Sequence, residues 1–282
     1  MTITSIKSAL AAGRRDGYAI PLFDVFDTQG VEGLMKVLVK KRAPTIMGIY
    51  SPRAAQPDCR AFAAYIRSRA EDTDVPISIM LDHGASVEQC LEVLTYGFTD
   101  IMYDGSRLPF EENIANTRRV VEAAHAVGAG VEAELGHVGM GNDYAILGSR
   151  KIGFTDPDTV ETFVKETGID FLAIAFGNAH GLYKGDPHLD LNLVAEIRDR
   201  VNIPLVMHGG TGISDTQFRQ AIKAGISKIN YFTNIMLTAV ENMRATCIKP
   251  DATMMDIQQG VQDAYSQWGK HLYDIFGAVD RG

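Results

Sequence analysis

Cysteine is scarce. Cys59, Cys90 and Cys247 are the only three in 282 residues, and their odd number, wide spacing and lack of a Cys-x-x-Cys pair exclude a disulfide framework and a thiolate zinc site. Positive charge is short as well. A net charge of -8 and a pI near 5.4 argue against nucleic acid or an anionic membrane surface as the main partner. A small anionic substrate answers to local charge and stays open. No apolar run reaches the length of a membrane span, and Met1-Thr-Ile-Thr-Ser-Ile-Lys7 lacks the charged-then-apolar layout of a signal peptide, so a cytoplasmic protein is expected. Low-complexity stretches and long linkers are absent. So is a Gly-x-Gly-x-x-Gly turn after the first strand, which weakens an open dinucleotide-binding sheet.

What is present is a composition 46% hydrophobic and 22% charged, that of a globular chain with a large core. After a leading helix over residues 4–15, strand and helix alternate. Apolar strand candidates end near Asp24, Tyr50, Asp82, Asp104, Leu135, Phe176, His208 and Asn230. Between them lie helices with recognisable ends: Ser86 to Gln89 opens one that Gly97 closes, Asp156-Pro157 starts another that ends near Gly168, and Ser214 with Gln217 is a capping-box pattern. Eight strands with crossover helices predict an α/β fold, a single (β/α)8 barrel domain over residues 1–282. Residues 232–248 and 253–276 read as further helices. The stretch from about residue 250 to 282 exceeds what a barrel needs and is expected to pack on a neighbouring subunit, in a homodimer or homotetramer.

Barrel enzymes place their sites at the carboxyl ends of the strands. Here those ends are polar. Asp82-His83 follows the third strand, Asp104 ends the fourth, Glu132 and Glu134 lie in the fifth, Asn178-Ala-His180-Gly181 follows the sixth and His208 the seventh. Three of the seven histidines therefore surround one mouth, and three neutral imidazoles with an open fourth position form a ligand set for catalytic zinc. Carboxylates inside a barrel need a cation or hydrogen-bond donors. For Asp104 and Glu134 a second metal site and a structural network both remain open. Gly209, Gly210 and Thr211 after strand seven, and Asn230, Tyr231, Phe232 and Thr233 after strand eight, occupy the loops where barrels often bind phosphate. Gly181 and Lys184 are placed to complete that pocket.

Taken together these residues resemble the class II, zinc-dependent ketose-bisphosphate aldolases, of the tagatose- and fructose-bisphosphate type. The likeness runs through Tyr18-Ala-Ile-Pro-Leu-Phe23, Leu81-Asp-His83, Asp104-Gly-Ser106 with Leu108-Pro-Phe-Glu-Glu-Asn-Ile114, Val131-Glu-Ala-Glu-Leu-Gly136, Ala179-His-Gly-Leu-Tyr183, His208-Gly-Gly-Thr-Gly212 and Lys228-Ile-Asn230. It implies cleavage of a phosphorylated ketose to dihydroxyacetone phosphate and an aldehyde. It implies His83, His180 and His208 as ligands of the catalytic Zn2+, and Asp82 as the proton carrier at the C4 oxygen. Asp104 and Glu134 match positions that in some members hold a second divalent or monovalent cation. Gly181, Gly209 to Thr211 and Asn230 to Thr233 match the triose-phosphate site. Zinc on the C2 and C3 oxygens would serve as the Lewis acid that stabilises the carbanion.

Several positions depart from that pattern. Gly84 stands where relatives often have a second histidine, and Asp24 where many have asparagine. The glutamate that exchanges the C3 proton of the triose is replaced by Asn142, leaving Asp143 and His137 as candidate bases. At the aldehyde end, Ser51 and Arg53 after strand two and Arg107 after strand four, with Arg150 and Lys151 nearby, suggest a site for a second anion. A C6 phosphate is the default occupant and a C6 sulfonate, giving sulfolactaldehyde, the competitor. Arg53 is expected to be the main contact. Two other classes of function are weighed against this one: a Schiff-base aldolase using Lys228 or Lys184, and a non-catalytic aldolase-like assembly subunit.

Overall fold

The computed structural model describes residues 3–141 and 153–282. Asn142, Asp143, Arg150 and Lys151 lie outside the described residues. Eight parallel strands close on themselves in sequence order: β1 (Ile20–Asp24), β2 (Thr45–Tyr50), β3 (Ile77–Gly84), β4 (Asp100–Tyr103), β5 (Gly130–Leu135), β6 (Phe171–Ile174), β7 (Leu205–Met207) and β8 (Ile226–Asn230). The ring closes where β1 pairs with β8, Leu22 opposite Asn230. The expected barrel is the observed one, with strand ends within two residues of the positions read from the sequence.

The period of two along each strand sorts its side chains between two cores. Phe23, Met47, Ile79, Leu81, Ile101, Val131, Leu172 and Ile229 face the helices. Leu22, Ile46, Met80, Met102, Phe171 and Val206 fill the barrel interior. Two residues further along the same inward faces come Asp24, Asp82, Asp104 and His208, all at the carboxyl end. β5 and β8 supply Glu132, Glu134, Lys228 and Asn230. The apolar interior thus ends in a polar layer at one mouth.

The opposite mouth is plugged. Helix α1 (Lys7–Asp16) lays Ile6 and Leu10 against the interior cluster, and Asp100 anchors its start by accepting from Ser5 Oγ at 2.6 Å and Ile6 N–H at 3.0 Å. The outer helices in order are α2 (Thr28–Lys41), α3 (Ser51–Ala54), α4 (Cys59–Ala70), α5 (Val87–Thr95), α6 (Phe110–Ala126), α7 (Pro157–Thr167), α8 (Leu191–Arg200), α9 (Asp215–Ala224), α10 (Thr233–Cys247) and α11 (Met254–Phe276). Their ends carry the expected caps. Ser86 accepts from Gln89 N–H, Asp156 caps α7 ahead of Pro157, and Ser214 with Gln217 forms a complete capping box.

Two helices follow β8. The second, α11, spends its apolar face within its own chain, packing on α2 and α10 and burying Tyr265, Leu272, Tyr273 and Phe276. Its Tyr265 hydroxyl donates to Asp24 O at 2.8 Å, so the last helix holds the end of the first strand. Among the described residues no helix is long and apolar enough to cross a membrane.

Candidate metal centre and active site

At the end of β3 the register slips between Leu81 and Gly84, and His83 takes a left-handed backbone with φ 51°. An ordinary residue keeps that geometry only where its surroundings hold it. Gly84 belongs to the same device. A Cβ there would lie 2.4 Å from Met102 O and 2.7 Å from Cys90 Sγ, so this barrel has no room for a second histidine at the position.

His83 Nε2 lies 3.1 Å from His180 Nε2 and 2.9 Å from His208 Nδ1. Each ring is fixed from its far side. His83 Nδ1–H donates to Asp104 Oδ2 at 2.8 Å, His208 Nε2–H donates to Glu132 Oε1 at 2.8 Å, and His180 is held by the Val138 backbone. An ionised carboxylate only accepts, so the nitrogens of His83 and His208 that face inward keep lone pairs when the rings are neutral. Lone pairs meeting at that distance repel unless a proton or a metal ion lies between them. The donor set fits a divalent ion with one open position.

The electrostatics agree. Burial, reinforced by the charge of His83, pushes His180 and His208 well below the usual histidine range, which favours the neutral form that a metal needs. On His83 burial acts the same way, but the carboxylates of Asp82, Asp104 and Glu134 outweigh it and lift the ring to about 10. The carboxylates around the point where the rings meet therefore favour positive charge there, and a bound divalent ion would take the place of the proton.

His83, Asp104 and Glu134 offer a second set of donor atoms within 4.8 Å of one another. Burial opposes the charge on Asp104, yet the His83 and Ser106 donors hold it well below the usual carboxylate range. Burial and then the charge of Asp104 push Glu134 up to about 8. Glu134 Oε1 accepts from Val138 N–H at 2.9 Å, while buried Oε2 has no hydrogen-bond partner, an orphan that a cation would satisfy.

Asp82 is 3% exposed. Its Oδ1 accepts from Asn230 Nδ2 at 2.8 Å, and its Oδ2 lies 4.0 Å from His83 Nε2. Asp24 shares the layer with Oδ1 unpartnered, its carboxyl pushed up by burial and then by the charge of Asp82. Lys228 is fully buried, donating to Asn230 Oδ1 at 2.7 Å and to Glu132 Oε1 at 3.2 Å. With no exposed surface and both partners inside the barrel, its nitrogen is not open to a substrate carbonyl, which counts against the Schiff-base reading at Lys228.

The loops after β7 and β8 lie side by side. Gly209 has φ 70°, and a Cβ there would come 2.0 Å from Ala179 O, so only glycine lets this loop pack on the one that carries His180. Gly210 N–H donates to Asn230 O at 3.1 Å, tying the two loops together. Helix α10 starts immediately afterwards with no side-chain cap from Phe232. Its first N–H groups thus receive no side-chain cap from that residue.

At the rim the outcome is divided. Ser51 is buried, donating to Gln89 Oε1 at 2.8 Å. Arg53, expected as the main anion contact, has each of its three nitrogens engaged within the chain: Nε on Phe26 O at 2.9 Å, Nη1 and Nη2 on Asp58 at 2.7 and 3.0 Å. Its guanidinium also lies over Phe62. Arg107 is exposed and makes no ion pair or hydrogen bond among the described residues. Its charge, after burial, lowers the His137 pKa, so Arg107 and His137 share one part of the rim. His137 Nδ1 lies 3.2 Å from Ser106 Oγ. Lys184 is exposed, with its backbone N–H on Gly141 O at 3.1 Å.

For two residues named in the sequence, the part they play beside the histidine cluster was not foreseen. Glu132 and Lys228 sit behind His208 and Asn230, one strand position deeper in the barrel. Their signal is the alternation itself, which puts Glu132 on the face of Glu134 and Lys228 on the face of Asn230.

A closed parallel barrel with three convergent imidazoles and a buried carboxylate beside them at its carboxyl mouth defines a metal-dependent barrel enzyme. The sequence profile described as fructose-bisphosphate aldolase class-II matches residues 4–281. The fructose-bisphosphate aldolase of Geobacillus stearothermophilus is 39% identical over 252 residues, 88% of this chain and 87% of that one. Among solved structures, the YdjI aldolase of Escherichia coli K12 superposes with TM-score 0.89 at 30% identity, covering 99% of both chains. A putative fructose-1,6-bisphosphate aldolase of Coccidioides immitis gives 0.87 at 27% identity, covering 97% and 96%. The chain belongs to the class II fructose-bisphosphate aldolase family. Its reaction is the class II aldol cleavage of a phosphorylated ketose to dihydroxyacetone phosphate and an aldehyde.

Proposed function

We propose that the metal is zinc, held by His83, His180 and His208, and that the substrate is a ketose 1-phosphate carrying a second anion at C6, of the fructose- or tagatose-1,6-bisphosphate kind. The observation that carries this reading is the meeting of three ring nitrogens at 2.9 and 3.1 Å, with His83 and His208 each tied from behind to a carboxylate. Bound zinc supplies Lewis acidity at the C2 carbonyl, where cleavage needs an electron sink. The chain does the rest. Asp82 takes the C4 hydroxyl proton in cleavage and returns it in condensation. Gly181, Gly209 to Thr211 and Asn230 to Thr233 hold the triose phosphate, supported by the uncapped start of α10. Asp104 and Glu134 hold a second cation, supported by the orphaned Glu134 oxygen. His137 or Asp143 exchanges the C3 proton, and Arg107 meets the C6 anion.

The chain is further proposed to act in the cytoplasm as a homodimer or homotetramer. Ile248, just past α10, and Met254 and Met255, at the start of α11, are 83%, 69% and 78% exposed and support association through this corner of the molecule. Light scattering tests it.

The direct test of the chemistry needs no aldehyde. Protein reconstituted with zinc should exchange a C3 proton of dihydroxyacetone phosphate with solvent deuterium, and a chelator should stop the exchange. Exchange that survives complete metal removal would overturn the reading, as would a substrate imine trapped by borohydride.

A further inference from the structure

A single buried lysine stands behind both halves of the site. Lys228 Nζ lies 2.9 Å from Glu132 Oε2 and donates to Glu132 Oε1 and to Asn230 Oδ1. Glu132 Oε1 in turn receives the Nε2–H of His208, and Asn230 Nδ2 donates to Asp82 Oδ1. Two chains of hydrogen bonds leave one ammonium. One ends on a proposed metal ligand, the other on the proposed proton carrier. Glu132 and Lys228 have no exposed surface, so water does not substitute for either.

We propose that Lys228 is a positioning residue that sets the metal-facing nitrogen of His208 and the working oxygen of Asp82 together. The inference rests on the roles proposed above for those two residues. An ammonium has donors and no acceptor, so the amide of Asn230 must turn its oxygen toward Lys228. Its NH2 then faces Asp82 and occupies Oδ1. The remaining oxygen, Oδ2, is left on the side of His83, where a substrate hydroxyl on the metal would lie. On the other arm Lys228 Nζ lies against both oxygens of Glu132 and so holds the carboxyl group with Oε1 toward His208. Held there, Oε1 accepts from His208 Nε2 and so leaves Nδ1 to the metal. Without the lysine, Glu132 is a buried carboxylate lacking its counter-charge and the Asn230 amide is free to reverse, placing oxygen against oxygen at Asp82.

The two arms are separated by comparing Lys228→Met with the double variant Glu132→Gln plus Lys228→Met. Metal affinity is read by chelator competition, and kcat and KM are read at saturating zinc. Lys228→Met should weaken zinc binding by roughly 10- to 100-fold and lower kcat by a similar factor with KM little changed. In the double variant the introduced glutamine is neutral and its amide oxygen still accepts from His208, so zinc affinity should return to within about threefold of wild type. The kcat defect should persist, because nothing orients Asn230. Removing both charges of a buried pair is often tolerated, so the double variant decides the matter even where Lys228→Met fails to fold. A double variant with wild-type kcat overturns the proposal, as does a Lys228→Met protein that melts early yet keeps wild-type zinc affinity and kcat. A wild type that turns over without metal overturns the reading underneath instead, and the two failures are distinguishable.

Discussion

His83 and Asp104 are joined by a 2.8 Å hydrogen bond from Nδ1 to Oδ2, across neighbouring strands at the place where the β3–β4 register slips. The bond fixes a ring whose backbone is already strained, and it decides which nitrogen faces His180 and His208. Asp104→Ala should therefore loosen zinc binding by roughly 10- to 100-fold without unfolding the barrel. Chelator competition and thermal melting check it. Unchanged affinity would mean that the strained backbone alone orients the ring.

The three proposed ligands make a stronger prediction. His83→Ala, His180→Ala and His208→Ala should each lose most bound zinc and at least ~100-fold in kcat, while circular dichroism stays that of the barrel. The barrel's two hydrophobic clusters are built without these side chains. Metal content by atomic spectroscopy gives the answer, and full content in any one variant removes that histidine from the set.

Asp82→Ala separates coordination from proton transfer. The residue meets Asn230 through Oδ1, and Oδ2 is too far from His83 for a hydrogen bond. Zinc content should remain, and cleavage should fall by roughly 100- to 10,000-fold. Normal turnover of a cleavable ketose phosphate would contradict the assigned role.

The barrel and the three histidines were legible in the sequence because both obey local rules. Strand period, caps such as Ser214 with Gln217, and a histidine placed just past a strand all act within a few residues. What the sequence did not disclose is where charges pair. Arg53 reads as an anion contact from its place after β2, but Asp58, five residues on in the loop before α4, takes both of its Nη groups. Lys228 reads as a candidate amine from its place on β8, yet Glu132, ninety-six positions earlier in sequence, neutralises it. Such pairings depend on the closed ring, which brings residues far apart in sequence to one layer.

Asp100, far from the metal, offers a test by pH. Burial raises its carboxyl to about 6 against donors from Ser5, Ser78, Ile6 and Thr99. In the unfolded chain its pKa is about 3.9. Between about pH 4 and 6 the folded state therefore holds more protons than the unfolded one, and this group makes stability fall as pH rises. In metal-free protein the wild type should lose up to ~2–3 kcal/mol relative to Asp100→Asn across that window. Urea denaturation at several pH values measures it, and a difference that is flat or grows the other way removes Asp100 as the cause.

The last prediction concerns the C6 end of the substrate, where Arg53 and Arg107 are the two candidate contacts and only Arg53 already has partners among the described residues. Arg53 is held by Phe26 O and Asp58 with its side chain only 11% exposed, so it is already committed to the structure. Arg107 is exposed on the loop after β4, two residues past the Gly105 that follows Asp104, and its charge is felt at His137. A charge-assisted hydrogen bond to phosphate or sulfonate contributes about 1.5–3 kcal/mol, or roughly 10- to 100-fold in kcat/KM. Arg107→Ala should therefore lower kcat/KM for 6-phospho and 6-sulfo ketose 1-phosphates by that factor, while the 6-hydroxy compound changes little. Arg53→Ala should leave the ranking of the three substrates intact and lower the melting temperature, because it frees Asp58 and uncovers Phe62. The wild-type ranking of phosphate against sulfonate identifies the natural aldehyde, since the two anions offer arginine the same tetrahedral oxygens and differ by one charge. If Arg53→Ala alters the ranking and Arg107→Ala does not, Arg53 is the contact to the C6 anion. If wild type prefers the 6-hydroxy compound, neither arginine serves a second anion.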